Sequence, residues 1–120
     1  MKYLMMILVF AVGISCNSTK KTADAEAEGA RFVVSFFSPG NGIDRKALAR
    51  FNDFLKANYP ELEANRVQWG REGEIDYCFA LAKMKKEEQV IFIKKAKAAI
   101  GDTSRVNYYE NKACRKPRDS

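Results

Sequence analysis

Between Arg31 and Glu110, two kinds of apolar pattern alternate along the chain. Their order constrains the fold more than any other feature. Short runs rich in β-branched and aromatic residues alternate with two longer runs whose apolar residues repeat at helical spacing. The resulting order is strand, helix, strand, strand, helix, strand. The sequence therefore predicts one α+β domain at residues 31–110, with the βαββαβ order of a split βαβ unit.

Residues that end regular structure mark the boundaries of these segments. Asp44 is a good N-cap for the first helix, and Gly101 suits the end of the second. The segment Gly70–Gly73 predicts a hairpin between two strands. The predicted strands are 32–37, 66–69, 75–81 and 105–110, and the predicted helices are 44–58 and 85–100. This is the ferredoxin-like plan, a four-stranded antiparallel sheet of order 4-1-3-2 with two helices on one face.

Alternation along the strands divides the sheet residues between a face packed on the helices and an open face. The packed face takes aromatic and branched side chains, and the open face takes small and polar ones. The predicted packed set is Phe32, Val34, Phe36, Tyr77, Phe79 and Leu81. The predicted open set is Ser35, Asp76, Cys78 and Ala80. The predicted buried stripe of the second helix is Val90, Ile93, Ala96 and Ile100.

The first sixteen residues form a separate pattern. Met1 and Lys2 precede an uncharged, almost wholly apolar run of twelve residues, which Ser15 and Cys16 follow. A membrane-spanning helix needs ~20 apolar residues, whereas about twelve suit the apolar region of a secretory signal. With a small residue directly before the cysteine, the segment resembles the leader of a bacterial lipoprotein precursor of the Bacteroidota type, although Gly13 stands where that family usually has leucine.

The resemblance implies an exported protein that is held to a membrane of the cell envelope, on the periplasmic side or at the cell surface. Residues 1–15 would be the signal peptide, Cys16 would be diacylated, and residues 16–30 would be the lipidated cysteine and a flexible tether. An alternative remains open, because Gly13-Ile14-Ser15 also fits an ordinary secretory cleavage site. Cleavage there would release a soluble secreted protein.

The remaining cysteines are Cys78 and Cys114. If Cys16 is lipidated, two cysteines remain, and a pair of cysteines in an oxidising compartment indicates a disulfide. Two unpaired thiols are the alternative. Strands three and four flank strand one in the predicted sheet, so the bridge requires the polar, basic tail 111–120 to fold back across the open face. The sequence predicts no metal site and no cofactor, because it has no histidine and two distant thiols do not make a zinc site.

Composition also narrows the function. The absence of histidine removes the commonest general base and the usual partner of a nucleophilic serine or cysteine. The net charge is +6, and lysines and arginines concentrate in the second half of the chain. For an exported protein, this charge favours contact with an anionic envelope polymer or lipid headgroups over nucleic acid, and a solvated surface is the alternative. An envelope protein is the other expected partner.

The topology places three connections at one end of the predicted domain, and this end contains the candidate binding residues. Gly40 and Gly42 precede a helix and offer backbone N–H groups to an anion. The hairpin adds aromatic and charged side chains, of a kind often found at binding sites. Turn geometry for the glycines and packing for Trp69 are the alternatives. The candidate residues are Gly40, Asn41, Gly42, Arg45, Trp69, Arg71, Glu72 and Glu74.

These observations favour a non-catalytic envelope module that binds its partner through the loop end or the open sheet face. One alternative is a small anion-binding hydrolase that uses the loop Ser38–Asp44. That loop is similar in position to the phosphate-binding loop of acylphosphatases, but it lacks their glycine-rich sequence. A further alternative is a secreted inhibitory or structural module.

Overall fold

The computed structural model describes residues 29–116. The predicted signal peptide, the predicted lipidation site Cys16, the tether up to residue 28 and the last four residues of the tail lie outside the described residues. Within residues 29–116, no helix is long and apolar enough to cross a membrane.

The chain folds as the sequence predicts, into four strands and two helices. The elements are β1 (Ala30–Phe36), α1 (Arg45–Asn58), β2 (Asn65–Gln68), β3 (Ile75–Phe79), α2 (Lys86–Ile100) and β4 (Val106–Lys112). The strands form one antiparallel sheet of order β2-β3-β1-β4. This order is the predicted 4-1-3-2, so the α+β, ferredoxin-like architecture is confirmed.

Both helices begin and end for local reasons. The Asp44 side chain accepts a hydrogen bond from the Ala47 N–H at 3.0 Å, which caps α1 as predicted. No side chain caps the start of α2, but Glu87 and Glu88 lie in its first turn, where negative charge is favourable. Gly101 ends α2 with a φ of 82°, a conformation that glycine adopts without strain, and its N–H donates to the Lys97 carbonyl.

The core lies between the helices and one face of the sheet, and phenylalanines dominate it. Phe79 of β3 contacts both helices, since its ring centroid lies 6.0 Å from that of Phe51 in α1 and 5.2 Å from that of Phe92 in α2. Phe32 and Phe36 complete the fully buried aromatic set. Each such side chain contributes about 1.5–3 kcal/mol by leaving water. All six residues predicted for the packed face belong to this cluster.

The predicted stripe of α2 is wrong at one position. Ile93, Ala96 and Ile100 are buried, but Val90 is 57% exposed. Phe92 takes the buried place, and it lies in line with the residues four and eight positions later on the helix. Because this larger ring packs against the sheet, it turns Val90 towards the surface.

The open face is covered by the C-terminal end of the chain. Strand β4 continues to Lys112, two residues beyond its predicted end, and the segment after it crosses β1 to reach β3. The sulfurs of Cys78 and Cys114 lie 2.10 Å apart, at disulfide distance, in agreement with the predicted pairing. Val33 and Val67 pack with this pair and are almost fully buried. The second, smaller core therefore depends on residues 113–116.

Removal of the disulfide should destabilise the domain strongly. A bridge that closes a separation of 36 residues stabilises by about 3–4 kcal/mol, because it restricts the unfolded chain. We expect the Cys78→Ala/Cys114→Ala variant to unfold about 15–25 °C lower than the wild-type chain in thermal unfolding followed by circular dichroism. Reductant should lower the midpoint of the wild type only. An equal midpoint in the two proteins without reductant would show that the bridge does not stabilise the domain.

Candidate functional site

The three connections expected at one end of the domain do converge. The Ser38 hydroxyl donates to the Glu72 carboxylate, which joins the β1–α1 loop to the hairpin. The Thr103 hydroxyl donates to Asp44 Oδ2 at 2.8 Å, which joins the α2–β4 loop to the start of α1. Arg105 Nη1 donates to the Gly42 carbonyl at 3.2 Å. We call this group of three loops the loop end.

The backbone donors that the sequence offers to an anion already have acceptors within the chain. Gly40 N–H and Gly42 N–H donate to Ser38 Oγ at 3.0 and 2.8 Å, and Gly42 N–H also donates to Glu72 Oε2 at 3.1 Å. Gly42 has a φ of +100°, so this loop geometry needs glycine. The Glu72 carboxylate therefore stands where the anion of the predicted hydrolase would bind.

The carboxylates of the loop end hold the loops together. Hydrogen bonds from the Ser38 hydroxyl and from the Gly42 N–H lower the pKa of Glu72 below its usual value. Bonds from the Ala47 N–H and the Thr103 hydroxyl likewise lower the pKa of Asp44. Glu74 Oε1 accepts from the Glu72 N–H at 2.9 Å within the hairpin.

The other predicted residues divide between two places. Asn41, Arg45 and Arg71 are exposed at the loop end, where the Arg45 guanidinium approaches Gly73 of the hairpin. Trp69 does not belong to this group. Its indole N–H donates to Asp76 Oδ1 at 2.8 Å on the open face, one residue after the end of β2.

Asp76 is the buried centre of the open face, with only 4% of its surface exposed. Besides the bond from Trp69, Oδ1 accepts from the Ser35 hydroxyl at 2.6 Å, and Oδ2 accepts from Arg115 Nε at 3.3 Å. These donors come from β1, from the end of β2 and from the C-terminal segment. A buried carboxylate is stable here because it is paired with an arginine and hydrogen-bonded.

Two cations lie on two aromatic rings beside Asp76. Lys112 Nζ is 3.7 Å from the centroid of the Tyr109 ring, and the Arg115 guanidinium carbon is 4.0 Å from that of Trp69. Both distances are well inside the range of a cation–π interaction. The two cations line a cleft of about 260 Å³. We call it the open-face cleft, and its lining residues are Val33, Asp76, Tyr109, Lys112, Ala113 and Arg115.

The sequence prediction missed Tyr109, Lys112 and Arg115. One signal pointed to them, since Lys112 and Arg115 flank the cysteine whose pairing requires the tail to cross the open face. What the cleft offers chemically is two ring-stacked cations beside a buried carboxylate. In the described part of the chain, no three histidine, cysteine or acidic side chains form a group that would hold a metal ion. No family model, curated protein or solved structure matches the chain.

The Glu72 contact should depend on pH. Because the pKa of Glu72 is lowered in the folded protein, the contact stabilises the loop end above the ordinary glutamate pKa and is lost as pH falls through the lowered value. We expect NMR titration of the carboxyl group to give a midpoint below about 4.3, the ordinary value. The Gly42 amide resonance should shift over the same pH range.

The Glu72→Ala variant is the control for this titration. In the variant, the Gly42 amide shift should change much less between pH 5 and the acid limit of folding than it does in the wild type. A full-sized shift in Glu72→Ala would show that another group causes the wild-type titration.

Proposed function

We propose that the protein is an exported, membrane-anchored, non-catalytic binding module of the cell envelope, and that the open-face cleft binds an anionic group of an envelope component. The observation that carries the binding part is the pair of stacks, with Lys112 held on Tyr109 and Arg115 held on Trp69. Lysine and arginine side chains normally lose much rotamer freedom when they bind a ligand. Here the rings restrict them beforehand, which lowers the cost of binding.

The charge of the cleft supports an anionic ligand. Lys112 and Arg115 provide two positive charges, and the exposed Lys116 follows directly. The negative charge of Asp76 is turned to Ser35 and Trp69 as well as to Arg115. A guanidinium has five N–H donors, and the bond from Arg115 Nε to Asp76 uses one of them. Carboxylate, phosphate and sulfate groups suit such donors.

The non-catalytic part of the proposal rests on the residue types of the chain. There is no histidine in the sequence. The two cysteines of the domain lie at disulfide distance. The buried Ser35 hydroxyl donates to Asp76, but that carboxylate is also bonded to Trp69 and Arg115. This arrangement fits a structural hydrogen-bond network better than a nucleophile and its base.

Loss of the two cleft cations should weaken polyanion binding. We expect the Lys112→Gln/Arg115→Gln variant to bind a soluble sulfated polysaccharide about tenfold or more weakly in isothermal titration calorimetry at low salt, because charge-assisted hydrogen bonds contribute about 1.5–3 kcal/mol each. Raising the salt concentration should weaken the wild-type complex. The Lys46→Gln/Lys56→Gln variant removes the same charge from α1 and should bind like the wild type. Equal affinity of all three proteins would contradict the cleft as the binding surface.

The membrane anchor has its own test, the intact mass of the native protein from the membrane fraction. We expect a chain that begins at Cys16 and is heavier by a diacylglyceryl group, because the apolar run and Ser15 form a lipobox-like leader. The Cys16→Ser variant is the control and should leave the membrane fraction. An unmodified chain cut after Ser15 would mean a soluble secreted protein.

A further inference from the structure

The outer face of α2 carries an apolar pair that the core does not use. Val90 and Ile91 are 57% and 48% exposed, and in the described part of the chain they are the large hydrophobic side chains left exposed. The two residues are adjacent on the helix, and both side chains lie on its exposed side. Single exposed hydrophobic residues are common on protein surfaces, whereas an apolar patch with a polar rim is typical of a contact surface.

The rim of this pair is basic. Lys86 and Lys94 lie about one turn before and after Val90, and Lys95 lies one turn after Ile91. Glu87 and Glu88 lie within one turn before the pair, so lysines outnumber glutamates in the rim by three to two. From residue 83 to residue 95 the chain has five lysines and two glutamates, a net charge of +3. Exposed apolar side chains among lysines suit contact with an anionic lipid surface, because the apolar groups can enter the headgroup boundary while the lysines meet the phosphates. We call these residues the α2 patch: Lys86, Val90, Ile91, Lys94 and Lys95.

The chain enters the domain beside the α2 patch. Arg31, the second residue of β1, donates from Nε to Gln89 Oε1 at 3.0 Å, and Gln89 directly precedes Val90. Arg31 also pairs with Glu110 of β4 at 2.8 Å, which fixes the start of β1 at this end of the sheet. The loop end lies at the opposite end of β1. A chain that is anchored through Cys16 therefore enters the domain on the side of the α2 patch.

We propose that the α2 patch docks on anionic lipid headgroups, with Val90 and Ile91 at the boundary between headgroups and acyl chains and the lysines at the phosphates. The proposal rests on the proposed membrane anchor, which brings the domain to the lipid surface. It deepens that function, because the helices cover one face of the sheet and the open-face cleft lies on the other. Docking through α2 thus orients the cleft away from the membrane.

Vesicle binding of the chain from Asn17 onwards tests the proposal without the lipid anchor. The sheet, both helices and the disulfide lie within residues 29–116, so this chain keeps the whole domain. We expect co-sedimentation with vesicles of phosphatidylcholine and phosphatidylglycerol, and much weaker binding to phosphatidylcholine alone. Val90→Gln/Ile91→Gln should weaken binding by about tenfold, and Lys94→Gln/Lys95→Gln by about 30-fold. Lys46→Gln/Lys56→Gln, which removes two exposed charges from α1, is the matched control and should bind like the wild type. Lys112→Gln/Arg115→Gln is measured beside it.

Several results would overturn the proposal. These are the absence of wild-type binding to anionic vesicles, equal binding of Val90→Gln/Ile91→Gln, and a loss confined to the Lys112 and Arg115 variant. A dimer in analytical ultracentrifugation that Val90→Gln/Ile91→Gln dissociates would assign the patch to a second copy of the chain instead. All substituted side chains are exposed, and thermal unfolding verifies that each variant folds. Polyanion binding by the cleft is measured without lipid, so either proposal can fail while the other stands.

Discussion

The crossing of the C-terminal segment over the open sheet face is the constraint on which the second core and the cleft depend. Two helices cover one face of a four-stranded sheet, and the central strands still place Val33 and Cys78 on the other. The link between Cys78 and Cys114 holds residues 113–116 above these side chains and removes them from water. The position of Arg115, and with it the shape of the cleft, follows from this link.

Asp76 needs polar partners, and the crossing segment supplies one of them, Arg115. A carboxylate on a central strand would be costly under an apolar cover, because burial disfavours its charge. Here its oxygens accept from Ser35, Trp69 and Arg115, which belong to three separate parts of the chain. The same charge that stabilises Asp76 is stacked on Trp69, so one arginine supports both the buried network and the cation of the proposed binding surface.

The sequence predicted the fold well because periodicity and end signals agreed. The packed face, the strand order and the Asp44 cap follow from patterns of a few residues. The prediction that Val90 is buried is wrong, because Phe92 takes that place in the buried stripe of α2 by packing its ring against the sheet. The sequence prediction assigns Trp69 to the adjacent turn. Side chains alternate along a strand, however, and Trp69 follows Val67 by two residues, so it lies on the same open face. The bond between Gly42 and Glu72 joins residues 30 positions apart, and no local pattern contains it.

The carboxylates of the loop end have structural roles, whereas several lysines are exposed on the surface. At the loop end, the carboxylates of Glu72 and Asp44 accept hydrogen bonds from backbone and hydroxyl donors of the same chain, so they hold the loops together. Most of the residues that the sequence predicts for binding lie at this end. Lys112 lies on the open face and Lys94 on the outer face of α2, on opposite sides of the sheet. A cation on each side suits a tethered domain, because one side can meet the membrane while the other meets a ligand. Under the two proposals, the net positive charge serves two separate contacts, and the disulfide supports the outer one by fixing the segment that carries Arg115.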